Sequence, residues 1–203
     1  MIKNTNYIKA LGFLLATYET DLEYIARFHE LKKSSSDINE VDVDKNDTGS
    51  FKAFINEFRV ARNIKKEETK ALLEESIDWT LSSIPNDVDK FAELIKGRKL
   101  SHNDKTPVSL ASKVMMLNNP WEILPIDSLT KKSLGYRGNK YAEFKIKLDK
   151  YIYDYQPDLL DELATVEMHL KVVEAKFDDR LCNIETIRFN RYVDKTLWVG
   201  RRM

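Results

Sequence analysis

Cysteine occurs once in this chain, at Cys182, which rules out an internal disulfide and a four-cysteine iron–sulfur cluster. A lone thiol with no histidine in its own segment reads as a buried cysteine in a reducing, cytoplasmic setting. The 203 residues include only 6 glycines and 5 prolines, little material for the tight turns of hairpins. No stretch approaches the ~20 consecutive apolar residues of a membrane span. The apolar patch from Ala10 to Ala16 gives way to polar residues between Tyr18 and Glu23 without a small-residue cleavage site, so it reads as a helix and not as a signal peptide. Glycine-rich phosphate loops and nucleophile elbows are missing, which argues against nucleotide hydrolases and α/β-hydrolases. His29, His102 and His169 lack second ligands at metal spacing, so neither a metal nor a cofactor is expected. Net charge is missing too: 33 Lys and Arg balance 33 Asp and Glu. Any nucleic-acid surface must therefore be a local patch.

What the chain does have is apolar residues at helical spacing, at 42% hydrophobic content, enough for a core in one all-α unit over 1–203. Tyr7, Leu11, Leu14, Tyr18, Leu22 and Ile25 form one stripe of a first long helix. Residues 34–49 are acidic and turn-rich, and predict a loop. Helices are expected over 51–61, 66–82 and 88–96, with Gly97 as a stop. Further on, Phe144, Leu148, Tyr151 and Tyr155 share a face, and so do Leu159, Leu163, Val166, Leu170 and Val173, with Pro157 dividing the two helices. A last helix spans 185–198, where Trp198 reads as a core anchor, and Arg201 and Arg202 make a basic tail.

The segment Thr106 to Ser128 carries the most function. A helix rich in small and apolar residues, containing Leu110-Ala111-Ser112, leads through Pro120-Trp121 to Pro125-Ile126-Asp127 at the start of a new helix. This order resembles the helix-hairpin-helix base-excision DNA glycosylases, in particular those similar to 8-oxoguanine DNA glycosylase. The resemblance implies a two-lobed helical bundle with a central lobe over 51–134 and a second lobe over 1–33 and 135–203. It also implies cleavage of the N-glycosidic bond of a flipped base in double-stranded DNA. Asp127 takes the place of the family's aspartate, which stabilises the positive charge developing on the sugar. The family's catalytic lysine lies about eighteen residues earlier, where this chain has Ser109, so the implied enzyme is monofunctional, with water as the attacking group. Lys113, one turn beyond Ser109, is the substitute nucleophile if the helix is displaced by a turn. The hairpin glycines are replaced by Asn103-Asp104-Lys105-Thr106-Pro107-Val108, leaving Lys105 to meet a phosphate.

The same residues have plainer readings. Asp127 is also an ordinary N-cap, Ser109 a first-turn residue, Lys113 a surface lysine laid along apolar neighbours, and Met115 and Met116 core filling. Beyond the aspartate, Lys131, Lys132, Arg137, Lys140, Lys145, Lys147 and Lys150 outnumber Glu143 and Asp149. Gly135 and Gly138 would loosen the turn here. With Tyr136, Tyr141 and Tyr151 interleaved, the stretch predicts either a phosphate grip with an aromatic for a displaced base or a solvated helix face. Trp121 and Tyr136 are the expected base-pocket residues. Two functions follow: a DNA glycosylase, or a non-catalytic helical module binding nucleic acid or a partner protein.

Overall fold

Apolar residues at helical spacing with few breakers give nine α-helices and no strand among the described residues, so the chain is all-α. The structure, a computed structural model, describes residues 5–33, 49–58, 64, 68–102 and 105–200. The helices are α1 (Asn6–Lys33), α2 (Phe51–Glu57), α3 (Thr69–Thr80), α4 (Val88–Gly97), α5 (Val108–Asn118), α6 (Ser128–Ser133), α7 (Tyr141–Ala164), α8 (Glu167–Glu174) and α9 (Ile184–Trp198). Apart from Gly49, the acidic loop lies outside the described residues, as do residues 59–61, 66–67 and the Arg201-Arg202 tail. No helix among the described residues is long and apolar enough to cross a membrane.

The chain forms two units, Met1–Leu22 with Leu124–Met203, and Glu23–Ile123. In the second, α5 is buried on every side, from Val108 to Asn118 with only Ser109 half-exposed. Its sequence is apolar or small all round, the composition of a central helix, and α3 and α4 pack along it. Tyr24 of α1 and Phe51, Phe54 and Phe58 form an aromatic cluster with ring centroids 4.6–6.2 Å apart. Ser50 caps α2 through Ala53 N at 3.1 Å, and Asp87 caps α4 through Lys90 N at 3.0 Å. Gly97 belongs to α4 rather than stopping it. The left-handed residue is Lys99, at φ 58°, and Leu100 N closes the end on Ile95 O at 3.1 Å.

The other unit packs Leu14, Tyr18 and Leu22 of α1 into a core with Phe144, Leu148, Leu159, Leu170, Ile187, Tyr192 and Leu197. Pro157 does not divide two helices: α7 runs straight through it to Ala164. The proline is exposed, so the carbonyl of Tyr153 that loses its N–H partner faces water, where the loss is tolerable.

Charged groups join this core. Arg191, 2% exposed, donates from Nε to Asp21 at 2.9 Å and lies 3.3 Å from Asp194, while Lys195 lies 3.4 Å from Asp21. Burial pushes the Asp194 carboxyl up, against the pull of Arg191 and Lys195. One turn earlier, Arg188 grips Glu174 of α8 with two bonds of 2.8 and 3.1 Å, and Tyr18 of α1 donates to the same carboxylate at 2.7 Å. Burial and the Glu174 charge raise the Tyr18 hydroxyl far above its usual range.

Arg191→Met leaves the buried Asp194 without the guanidinium 3.3 Å away and is expected to cost about 3–5 kcal/mol in urea unfolding. The Asp194→Leu/Arg191→Met pair, which leaves Asp21 with Lys195 at 3.4 Å, recovers much of that loss.

Candidate functional site

Asp127 enters α6 with extended backbone (φ −141°, ψ −173°). Its Oδ1 accepts from Leu129 N at 2.8 Å and Thr130 N at 2.9 Å, and Thr130 Oγ1 accepts from Asp127 N at 2.8 Å, completing a capping box. Oδ2 accepts from the indole Nε1 of Trp198 at 2.7 Å. Three N–H donors thus fix both oxygens of a half-buried carboxylate. Trp198 is not a core anchor: it is 40% exposed, because the end of α9 brings it over α6 instead of into the apolar interior. A separation of 71 residues left this partnership invisible to local pattern.

The other candidates of the 106–121 segment belong to the Glu23–Ile123 unit. Ser109 is the second residue of α5, and its carbonyl accepts from Ser112 Oγ at 3.1 Å. Lys113 is not a surface lysine. It is 8% exposed, and its Nζ donates to the carbonyl of Phe58, the C-cap of α2, at 2.9 Å, a cation satisfying a helix C-terminus. Trp121 lies edge-on to His29, with centroids 5.6 Å apart, and His29 Nε2 is 3.1 Å from Leu117 O. Burial holds the His29 imidazole below its ordinary pKa. Lys105 is exposed ahead of α5, while Asn103 and Asp104 lie outside the described residues.

The cationic segment follows α6. Gly135, at φ 60°, closes that helix: Tyr136 N reaches Lys131 O at 2.8 Å and Gly135 N reaches Lys132 O at 3.2 Å, the paired bonds of a Schellman end. The Tyr136 ring then folds back over Gly138, where a Cβ would sit 2.3 Å from the hydroxyl oxygen. That hydroxyl accepts from Lys140 N at 2.9 Å and donates toward Lys140 O at 2.8 Å, with Glu143 3.1 Å away. The two glycines therefore tighten the turn. Lys131 Nζ lies 5.8 Å from the Tyr136 centroid. Lys145 pairs with Asp149, and Lys150 with Asp154 at 3.0 Å. Lys132, Arg137, Lys140 and Lys147 are exposed, with no carboxylate in ion-pair distance among the described residues.

The interleaved tyrosines are not available for stacking. Tyr136, Tyr141 and Tyr151 are 8%, 6% and 4% exposed, because each ring serves the core. The Tyr141 hydroxyl clamps Leu124, accepting from its N–H at 3.1 Å and donating to its carbonyl at 3.0 Å. Tyr153, by contrast, is exposed. Cys182 is exposed rather than buried, since it sits in the turn ahead of α9. No cluster of three metal-ligating side chains occurs among the described residues.

No protein-family model, curated protein or solved structure matches the chain.

Two outcomes are expected. Asp127→Ala removes the cap and lowers unfolding stability by about 1 kcal/mol in urea titration, whereas Asp127→Asn, which keeps one acceptor oxygen for the cap and loses the Trp198 bond, falls by less. His29, depressed in the folded state, stabilises above its unfolded pKa of about 6.5 and loses that contribution as pH falls through the folded value. The melting temperature should therefore decline on acidification below about pH 6.5, and His29→Gln should flatten the decline.

Proposed function

We propose that the protein binds nucleic acid, gripping the phosphate backbone of double-stranded DNA through the segment from Lys131 to Lys140. One observation carries this reading: Lys132, Arg137 and Lys140 are exposed and have no acidic partner among the described residues, in a chain whose total charge is balanced. Elsewhere Arg27, Lys70, Lys90 and Lys171 sit in i,i+3 or i,i+4 pairs, and Arg191 in a buried network. A local concentration of unneutralised cations binds phosphates by releasing condensed counterions, without reading sequence. The Schellman end at Gly135 and the Tyr136 fold-back fix the backbone beneath Arg137 and Lys140, so less ordering is needed on contact.

Base excision is the second reading, favoured by the rigid carboxylate of Asp127. Stabilising a sugar cation calls for a charge held in place before the reaction, and three N–H donors hold this one. Ser109 in the family's lysine position makes water the attacking group. Lys113 is a poor substitute, with its amine turned to the Phe58 carbonyl. The helical module without catalysis keeps the first reading and drops the second.

Labelled duplex titrated across salt concentrations tests the binding. Each phosphate contact removed is expected to reduce the slope of log affinity against log salt by about 0.9, so Lys132→Glu/Arg137→Glu should reduce it by about 2 and weaken binding at least about tenfold. Salt-independent or undetectable binding at low salt would sink the proposal. Base release from duplexes carrying oxidised or deaminated bases, abolished in the well-folded Asp127→Asn, decides the second reading.

A further inference from the structure

The longest helix of the Leu124–Met203 segment presents an apolar stripe to solvent. On α7, Ala142, Ile146, Tyr153, Pro157, Leu160 and Ala164 are all exposed, Ile146 at 70%, Tyr153 at 84% and Leu160 at 46%. Their spacings are threes, fours and sevens, so at about 3.6 residues per turn they line one face, opposite the buried Phe144, Leu148, Tyr151 and Leu159. A seam of this kind is what helix pairs bury. The stripe is interrupted at Asp149 and Lys150, each held in an intrahelical pair.

Two symmetries in the sequence name the partner. Ile146 and Leu160 each lie seven residues from Tyr153. In an antiparallel pair about a twofold axis at Tyr153, Ile146 therefore meets the other copy's Leu160, and Tyr153 meets its counterpart. The charges repeat the pattern. Along one flank of the stripe Lys147 and Lys150 precede Tyr153, and Asp154, Asp158 and Asp161 follow it. The twofold axis brings this flank against the same flank of the other copy, and sets the lysines of one across from the aspartates of the other. From Tyr151 to Ala164 the helix has four acids and no Lys or Arg. The two helix dipoles also oppose in the antiparallel arrangement.

The geometry points to self-association: α7 pairs antiparallel with α7 of a second copy of this chain, and closes a symmetric dimer. A helix of this length is about 36 Å long, and a strip that narrow buries less than the ~800 Å² per partner of a standard interface. The dimer is reversible, with a dissociation constant on the order of micromolar.

Sedimentation of the full chain up to about 100 µM should show a concentration-dependent shift from monomer to dimer. Tyr153→Glu, on a solvent-facing position that leaves the helical circular dichroism unchanged, should weaken the dimer about tenfold or more. Lys147→Asp/Lys150→Asp should weaken it as well, and mixing that variant with Asp154→Lys/Asp158→Lys should restore pairing between the two. Orientation is read in a Cys182→Ser background with a short thiol crosslinker. Tyr153→Cys links to itself, and Ile146→Cys links to Leu160→Cys but not to its own kind. A wild-type chain that stays monomeric over this range overturns the proposal. So does a dimer indifferent to Tyr153→Glu, or self-linking of Ile146→Cys.

Discussion

A guanidinium with almost no access to water holds the Leu124–Met203 segment to the start of the chain. Taking Arg191 and Asp21 out of water costs several kcal/mol per ion, and only close, well-aimed contacts offset it. Their 2.9 Å bond leaves α9 little freedom to slide against α1. Arg188, three residues earlier, fixes the same helix against α8 through its two bonds to Glu174. With its register set by two arginines, α9 ends where the Trp198 indole meets Asp127. The carboxylate singled out by family resemblance is thus positioned by ion pairs remote from it in sequence.

Much of the helical framework was legible because burial follows the 3.6-residue period. Leu11, Leu14, Tyr18, Leu22 and Ile25 are all buried as their spacing predicts, and α9 starts and ends within one residue of expectation. What pattern did not show was polar burial. Asp21 and Glu174 look like solvated charges beside apolar stripes, and only their partners on α9 reveal them as interior. Pro157 misled because the cost of a proline inside a helix is reduced where the freed carbonyl is solvated, as it is here. The tyrosines misled because a ring with one polar tip suits a core edge as well as a ligand surface, and hydroxyl partners such as Leu124 are fixed by tertiary structure.

At the candidate site, Asp127 was legible as a carboxylate at a helix start, and capping is what its Oδ1 does. Capping and catalysis are not exclusive, since both ask for a carboxylate held still. The lysine positions were legible as a cluster, but which of them stay unneutralised was not. Lys145 and Lys150 meet the acids four residues on, whereas Glu143, four residues before Lys147, lies against the Tyr136 hydroxyl instead. Lys113 shows the reverse error, a cation taken for surface or nucleophile that instead finishes another helix.

The interleaving of the two units bears on how the chain is made. Glu23–Ile123 is continuous in sequence, so a polypeptide leaving the ribosome can close it early from local contacts. Asp21 has no such option. Its arginine lies 170 residues downstream, and a loop of that size carries a large closure entropy before any contact rewards it. During synthesis Asp21 therefore waits without its guanidinium until α9 has emerged, and α9 acts as the latch that closes this unit.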